Sequence, residues 1–154
     1  MPKLLHDLLD RTAGARPDAP AAGDGTVERT YRQVRADSLR LAGWLRGQGV
    51  RRGDRVLVAL PADATLPALL YAVARTGAVF VVLRTPAPEV ALAHVLDDAE
   101  PVLVLTDDRV LTGLCHARGV PARGAAALRA RGIPARPAAT RRPGRARWPS
   151  TRSA

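Results

Sequence analysis

Few side chains in this 154-residue sequence have a type and spacing that could carry catalysis. Cys115 and His116 are adjacent, and a thiol with an imidazole can form a nucleophile and its base. That chemistry requires hydrogen-bond reach and a third orienting group, and adjacency in sequence supplies neither. His94 lies between Ala93 and Val95 on a predicted helix, where a surface or interface role is commoner than metal binding. We therefore predict no catalytic residue among these groups.

Two pairs of adjacent aspartates could in principle bind a hard cation: Asp97 with Asp98, and Asp107 with Asp108. Neighbouring side chains on a helix point apart, however, and no glycine-bearing calcium loop surrounds either pair. One cysteine and three histidines are too few for a structural zinc site. We predict solvated carboxylates at the ends of elements and no metal-binding residue.

Nucleotide-binding and hydrolase motifs are also missing from the sequence. A phosphate loop of the form G-x-x-x-x-G-K-[ST] does not occur, and the only lysine is Lys3. The segment Gly47-Gln48-Gly49 has half of a dinucleotide fingerprint, but it precedes a predicted strand, so we interpret it as a helix end and turn. No serine stands in a G-x-S-x-G elbow; the serines are Ser38, Ser150 and Ser153. The sequence thus predicts no cofactor-binding residue and no specific small-molecule site.

Three uninterrupted apolar runs dominate the middle of the chain, at residues 56–60, 79–83 and 102–105. Helical patterns of ten or more residues separate them. Such runs are typical of a parallel sheet covered on both faces. The fold class predicted is therefore α/β, with a partial doubly wound parallel sheet in β-α-β-α-β order.

The residues before the first run predict a short N-terminal part. Apolar residues at helical spacing over 4–12 predict an amphipathic helix. Residues 17–25 are rich in Pro, Ala, Asp and Gly and predict a loop, with a short strand at 27–30. Thr30 and Gln33 have the spacing of a capping box, which predicts the start of a second helix.

The formal charge of +10 is concentrated at the C-terminal end. Residues 1–114 contain 14 basic and 14 acidic side chains, whereas residues 115–154 contain ten arginines and no acid. Large apolar side chains are scarce in that second segment, so burial cannot offset the entropy of ordering it. We predict a domain over residues 1–112 and a disordered Arg/Ala/Pro-rich tail over 113–154. Because Arg, Ala, Pro and Gly have GC-rich codons, we also hypothesise that the tail is out of frame.

Several segments resemble, in type and in their order along the chain, the adenylate-forming (AMP-binding) enzymes. This family includes acyl-CoA synthetases and nonribosomal-peptide adenylation domains. The segments extend from residue 4 to about residue 108. The matching segments are residues 17–21, Thr30 and Tyr31 with Val34, Leu41 and Ala42 with Leu45, residues 49–56 (GVRRGDRV), Leu60 with Pro61, residues 77–81 (GAVFV), and residues 94–96 with residues 99–101. Val82 and Arg84 depart from the family, where proline and an aspartate or asparagine are common.

The resemblance implies a carboxylic acid ligase that uses ATP and Mg²⁺ in its full-length members. It also implies that the phosphate loop, the nucleotide contacts and the catalytic lysine lie downstream of the matched segments, and this sequence contains no counterpart of them. We therefore carry over no catalytic residue. The function predicted is a truncated AMP-dependent synthetase/ligase that is inactive alone.

Two alternatives from other classes remain open. The arginine-rich tail could bind nucleic acid without sequence preference, or an open sheet edge could serve as a docking or aggregation surface. We expect no membrane segment, because Arg75 and Gly77 interrupt the longest apolar stretch, residues 66–83. Asp7 and Asp10 precede any apolar run, so no signal peptide is predicted and we expect a cytoplasmic location.

Overall fold

The computed structural model describes residues 4–133. Within them, the helices are α1 (Leu5–Ala15), α2 (Tyr31–Gly47), α3 (Leu66–Thr76), α4 (Glu89–Ala99), α5 (Arg109–Ala117) and α6 (Ala125–Arg129). The strands are β1 (Pro20–Gly23), β2 (Glu28–Thr30), β3 (Arg55–Ala59), β4 (Val79–Val82), β5 (Leu103–Thr106) and β6 (Ala122–Arg123). The three predicted apolar runs correspond to β3, β4 and β5.

The main sheet is parallel and has the strand order β4-β3-β5-β6. β3 pairs with β4 on one side and with β5 on the other, so that Leu57 is in register with Val81 and with Val104. β6 extends the sheet beyond β5. The predicted partial doubly wound sheet is confirmed, and a fourth strand is added to it.

The core is divided between the two faces of this sheet. Val56 and Val58 of β3 pack in the same cluster as buried residues of α1, α2, α3 and α6. Leu57 and Ala59, which alternate with them, pack with buried residues of α4 and α5. This alternation is what a strand with helices on both sides requires.

The N-terminal part contains a hairpin as well as the predicted capping box. Thr30 Oγ1 accepts the backbone amide of Gln33 at 3.4 Å, and Gln33 Oε1 accepts the amide of Thr30 at 3.0 Å. The loop predicted over residues 17–25 is wrong at β1, which pairs antiparallel with β2. Asp24 Oδ1 accepts the amides of Thr26 and Val27, both at 2.9 Å, and this local turn closes the hairpin.

Regular structure continues past residue 112, where we expected it to stop. α5, β6 and α6 follow, and Ala125, Leu128 and Ile133 are buried in the cluster that also contains α2 and β5. The composition of the segment is poor in large apolar groups, but an existing core accepts the few that are present and supplies the burial that the segment lacks alone. Residues 134–154, the rest of the predicted tail, lie outside the described residues.

Candidate functional site

The connections after β3 and β5 leave the sheet toward opposite faces. β3 leads into α3, which packs with α2, whereas β5 leads into α5, which packs with α4. β3 and β5 are adjacent strands, so a crevice opens where their carboxyl ends diverge. In open α/β sheets this switch point is the usual place for a ligand.

A cleft of about 620 Å³ lies at this position. The cleft is lined by the segments that follow β3, β4 and β5, which contribute residues 60–62, 83–86 and 107–109. The last residues of β3 and β4 complete the lining. Its volume falls within the roughly 300–1,000 Å³ of small-molecule pockets. Its apolar lining comes from Leu60, Leu66 and Leu83, and its charged lining from two aspartates and two arginines.

Both aspartates of the cleft accept hydrogen bonds from helix N-termini. Asp108 Oδ1 accepts the amide of Leu111 at 2.9 Å and caps α5. Asp107 Oδ1 accepts the amide of Ala125 at 2.9 Å, at the start of α6. The same oxygen lies where a Cβ at Gly124 would stand, so a side chain there would displace it. The carboxylates that we considered as cation ligands therefore hold helices in place.

Arg84 and Arg109 are the cations of the cleft, and both side chains are exposed. Arg84 follows β4 and Arg109 is the first residue of α5, after β5. Neither guanidinium has a hydrogen-bond or ion-pair partner among residues 4–133. From the sequence alone, Arg84 is visible only as a departure from a family pattern, and Arg109 has no distinguishing signal of its own. Their positions after two strands of one parallel sheet were the signal that could have paired them.

Cys115 and His116 do not form a reactive pair. Cys115 is fully buried between α4, α5 and the sheet, whereas His116 is exposed on α5. Burial raises the pKa of the Cys115 thiol, although the nearby Arg118 opposes this. The thiol is therefore a core group in its neutral form.

The other candidate residues also have structural positions. Asp97 forms a bidentate ion pair with Arg118, with Oδ1–Nε at 2.7 Å and Oδ2–Nη2 at 3.1 Å. Those hydrogen bonds from Arg118 lower the pKa of Asp97. Asp98 and His94 are exposed on α4. Among residues 4–133 no group of three His, Cys, Asp or Glu side chains is arranged to hold a metal ion.

Gly47, Gly49 and Ser38 also have structural positions and form no dinucleotide-binding or catalytic motif. α2 ends at Gly47, and Gly49 has a φ of +89°, which ends the helix in a turn as predicted. Ser38 is buried, donates to the carbonyl of Arg35 at 2.8 Å and accepts from Arg75 Nε at 3.0 Å. Ser150 and Ser153 lie outside the described residues.

Comparison with known proteins decides the family. A sequence model of the AMP-binding enzymes matches residues 9–147. The chain belongs to the AMP-binding enzyme family. Among curated AMP-binding relatives, enterobactin synthase component F of Escherichia coli O157:H7 is 37% identical over 133 residues, which is 80% of this chain and 10% of that protein. Propionate–CoA ligase of Escherichia coli (strain K12) is 37% identical over 111 residues, 68% of this chain and 18% of that protein.

Solved AMP-binding structures have the same fold. The complex of VinN with L-aspartate superposes with a TM-score of 0.77 at 32% identity, covering 84% of this chain and 34% of that one. A fatty acyl CoA synthetase of Mycobacterium tuberculosis has a TM-score of 0.72 at 26% identity, covering 83% of this chain and 28% of that one. The chain thus spans about a third or less of the AMP-binding proteins named here.

The segments that carry the resemblance to AMP-binding enzymes position β3 and β4. Gly77 ends α3 with a φ of +76°, and a Cβ there would lie 3.0 Å from Cγ of Arg52. The amide of Gly53 donates to the carbonyl of Gly77 at 3.0 Å, which joins the turn before β3 to the turn before β4. The two strands therefore start in register, and the loops after them meet at the cleft.

Within the described range 4–133, no helix combines the length and the apolar character that a membrane span requires.

Proposed function

We propose that this chain forms the first part of an enzyme that activates a carboxylic acid with ATP. In that reaction the carboxylate oxygen attacks the α-phosphate of ATP, an acyl-adenylate forms and pyrophosphate leaves. The match to the AMP-binding family over residues 9–147 is the observation that carries the proposal. The names of the relatives agree with it, since propionate and L-aspartate are both carboxylic acids.

Residues 4–133 contribute a scaffold to this enzyme in our proposal. They provide a parallel sheet covered on both faces and one wall of a cleft at its carboxyl ends. Transfer at the α-phosphate requires donors and cations aimed at the charge that develops, with a metal ion on the leaving pyrophosphate. We propose that groups outside this chain supply them and that the chain alone does not catalyse adenylation.

The fold and the family match limit where along the chain a shift of reading frame could begin. The buried positions of Leu128 and Ile133 and the family match to residue 147 favour the family's reading frame beyond residue 112. We therefore restrict the hypothesis to codons after 147. Translating the DNA beyond that codon in the other two frames tests it: a loop similar to Thr-Gly-x-Pro-Lys in neither frame would refute it.

A hybrid enzyme tests the proposed function. Residues 1–133 replace the corresponding start of the adenylation domain of Escherichia coli enterobactin synthase component F, and ATP–pyrophosphate exchange is measured with its acid substrate. We expect exchange by the hybrid and none by the 154-residue chain alone. A matched hybrid with Val58→Asp, at a side chain 1% exposed in β3, should lose the activity because it places a charge in the core.

Two results would contradict the proposal separately. A folded, soluble hybrid without exchange would refute the shared function. Exchange by the 154-residue chain alone would refute its dependence on other residues while leaving the family assignment intact.

A further inference from the structure

We propose that the groove between α2 and the turn after α6, residues 130–133, is a docking surface for an acidic helix of a partner protein. Its volume is about 470 Å³. It is lined by Arg40, Gly43, Trp44, Gly47, Gln48 and Arg131. Because α2 ends at Gly47 and β3 begins at Arg55, this half of α2 lies toward the amino ends of the strands, away from the cleft. The proposal does not depend on adenylation, because only residues of this chain form the groove.

Two glycines one helical turn apart form the floor of the groove. Gly43 and Gly47 are exposed on α2, and a Cβ at either would meet no heavy atom within 4 Å beyond its own stretch of helix. Gly43 in the interior of α2 destabilises the helix relative to alanine, and no close approach within residues 4–133 requires it. Small residues four positions apart let a second helix approach the backbone closely. The floor therefore fits a helix with alanine on its contacting face.

The charges beside this floor are positive and only partly compensated. Asp37 is 3% exposed and accepts the guanidiniums of both Arg29 and Arg40, so one carboxylate faces two positive charges. The Arg40 side chain is 52% exposed and lines the groove. The guanidinium of Arg131 has no hydrogen-bond or ion-pair partner among residues 4–133. Within the described residues no aspartate or glutamate lines the groove, so it complements a partner that carries carboxylates.

The surroundings of the groove distinguish an acidic helix from other occupants. Arg123 Nε donates to Gln48 Oε1 at 3.1 Å, which adds a third cation at the rim. The sequence after Ile133 contains six further arginines and no acid, so the continuation of the chain has the wrong charge to fill the groove. Duplex DNA is also a poorer fit, because sequence-independent binding depends on many phosphate contacts and this groove offers few cations around an uncharged floor. A helix laid in a groove can meet both the floor and the flanking cations.

Amide NMR of the 154-residue chain tests the groove with a blocked, Ala-rich peptide of about 20 residues, long enough to form a helix. Glutamate at every fifth position avoids like charges three or four residues apart. We expect shifts at the amides of residues 40–48 and 130–133. The same peptide with lysine in place of glutamate should shift these amides little, because the groove is positive.

The double variant Gly43→Gln/Gly47→Gln fills the floor of the groove and leaves every charge in place. It should raise the dissociation constant of the acidic peptide about tenfold or more. The fold should be retained, because glutamine is a better helix former than glycine and both positions have open space. The matched control is Gly14→Gln/Gly113→Gln, which makes the same change at exposed glycines of α1 and α5 with equally open space. It should leave the dissociation constant within about twofold.

Arg131→Ala tests the charge and should raise the dissociation constant about threefold, whereas Arg11→Ala, at an exposed arginine of α1, should not change it. Equal dissociation constants for the two glutamine double variants would overturn the proposal, and so would equal binding of the lysine peptide. A DNA duplex that shifts residues 40–48 at lower concentration than the acidic peptide would assign the groove to nucleic acid instead. Shifts of these amides on diluting the chain without peptide would assign it to a second copy. Unchanged amide dispersion in each variant verifies that the fold is retained.

Discussion

Asp10 of α1 and Arg75 of α3 form a bidentate ion pair across 65 positions of sequence. Arg75 Nη1 donates to Asp10 Oδ2 at 3.0 Å, and Arg75 Nε donates to Ser38 of α2 at 3.0 Å. Arg35 Nε, also on α2, donates to Asp10 Oδ1 at 2.9 Å. One carboxylate therefore connects α1, α2 and α3, three of the helices that cover one face of the sheet.

Replacing Asp10 with Asn should destabilise the protein in a pH-dependent way. The hydrogen bond from Arg75, supported by Arg35, lowers the pKa of Asp10. A carboxylate whose pKa is lower in the folded state adds stability above its unfolded pKa of about 3.9, and that stability is lost as the pH falls through the folded pKa. We expect Asp10→Asn to reduce the free energy of unfolding by about 1 kcal/mol at pH 7, allowing for solvent screening.

Urea denaturation at pH 7 and pH 3 measures this effect, and the difference between the variant and the parent should shrink at the lower pH. Asp18→Asn is the matched control. Its ion pair with Arg32 has side chains that are 79% and 65% exposed, so it should change stability by less than about 0.5 kcal/mol at either pH. A difference at Asp10 that stays constant from pH 7 to pH 3 would contradict the assignment.

The central strands could be predicted from the sequence because their signal is local. Each of β3, β4 and β5 contains an uninterrupted apolar run, and a break at Gly77 separates the second from the helix before it. The capping box at Thr30 was equally visible, since it depends on residues three positions apart.

The remaining features depend on contacts distant in sequence. β1 is recognisable only through its pairing with β2, and Leu128 becomes a core residue only because α2 and the sheet are already there. The cleft was missed for the same reason. Arg84 and Arg109 are 25 positions apart, and only the strand order places them at one edge of the sheet.

Leu128→Ala should destabilise the protein and so show that α6 is part of the hydrophobic core. Leu128 is 1% exposed and packs in the cluster of α2, α3 and β5, so its truncation leaves a cavity. We expect a loss of about 2–5 kcal/mol in the free energy of unfolding, measured by urea denaturation. Leu39→Ala, at a side chain 45% exposed on α2, removes the same atoms and should cost well under about 1 kcal/mol. Equal small effects would mean that residues 113–133 do not contribute to the core.

The edge of β4 should promote self-association, as an open sheet edge predicts. β4 ends the sheet on one side and contains neither a charge nor a proline, and Val79 and Val82 are 50% and 61% exposed. Charged side chains on edge strands oppose pairing with another chain. We expect Val79→Lys to increase the monomer fraction in sedimentation velocity. Val90→Lys, at a side chain 82% exposed on α4, makes the same change away from the edge and should have no effect. Equal sedimentation of the parent and both variants would exclude the edge as the contact.

The alternative of nucleic-acid binding can be tested without damaging the fold. Removing residues 115–154 would also remove Leu128 and Ile133 from the core, so loss of binding by that truncation would have no clear meaning. Removing residues 134–154 deletes six of the ten C-terminal arginines and leaves the described residues intact. In the described part, Arg118 is already paired with Asp97, and Arg123 Nε donates to Gln48 at 3.1 Å.

If the tail binds nucleic acid, truncation after residue 133 should weaken binding to a DNA duplex and flatten its salt dependence. Each phosphate contact adds about −0.9 to the slope of log K against log salt concentration, so six lost arginines can remove a slope of up to about 5. Replacing the same six arginines with lysine keeps the charge and should preserve most of the slope. Filter binding at several salt concentrations measures both variants. An unchanged affinity and slope in the truncated chain would eliminate residues 134–154 as a nucleic-acid site, because the contacts would then come from residues 1–133.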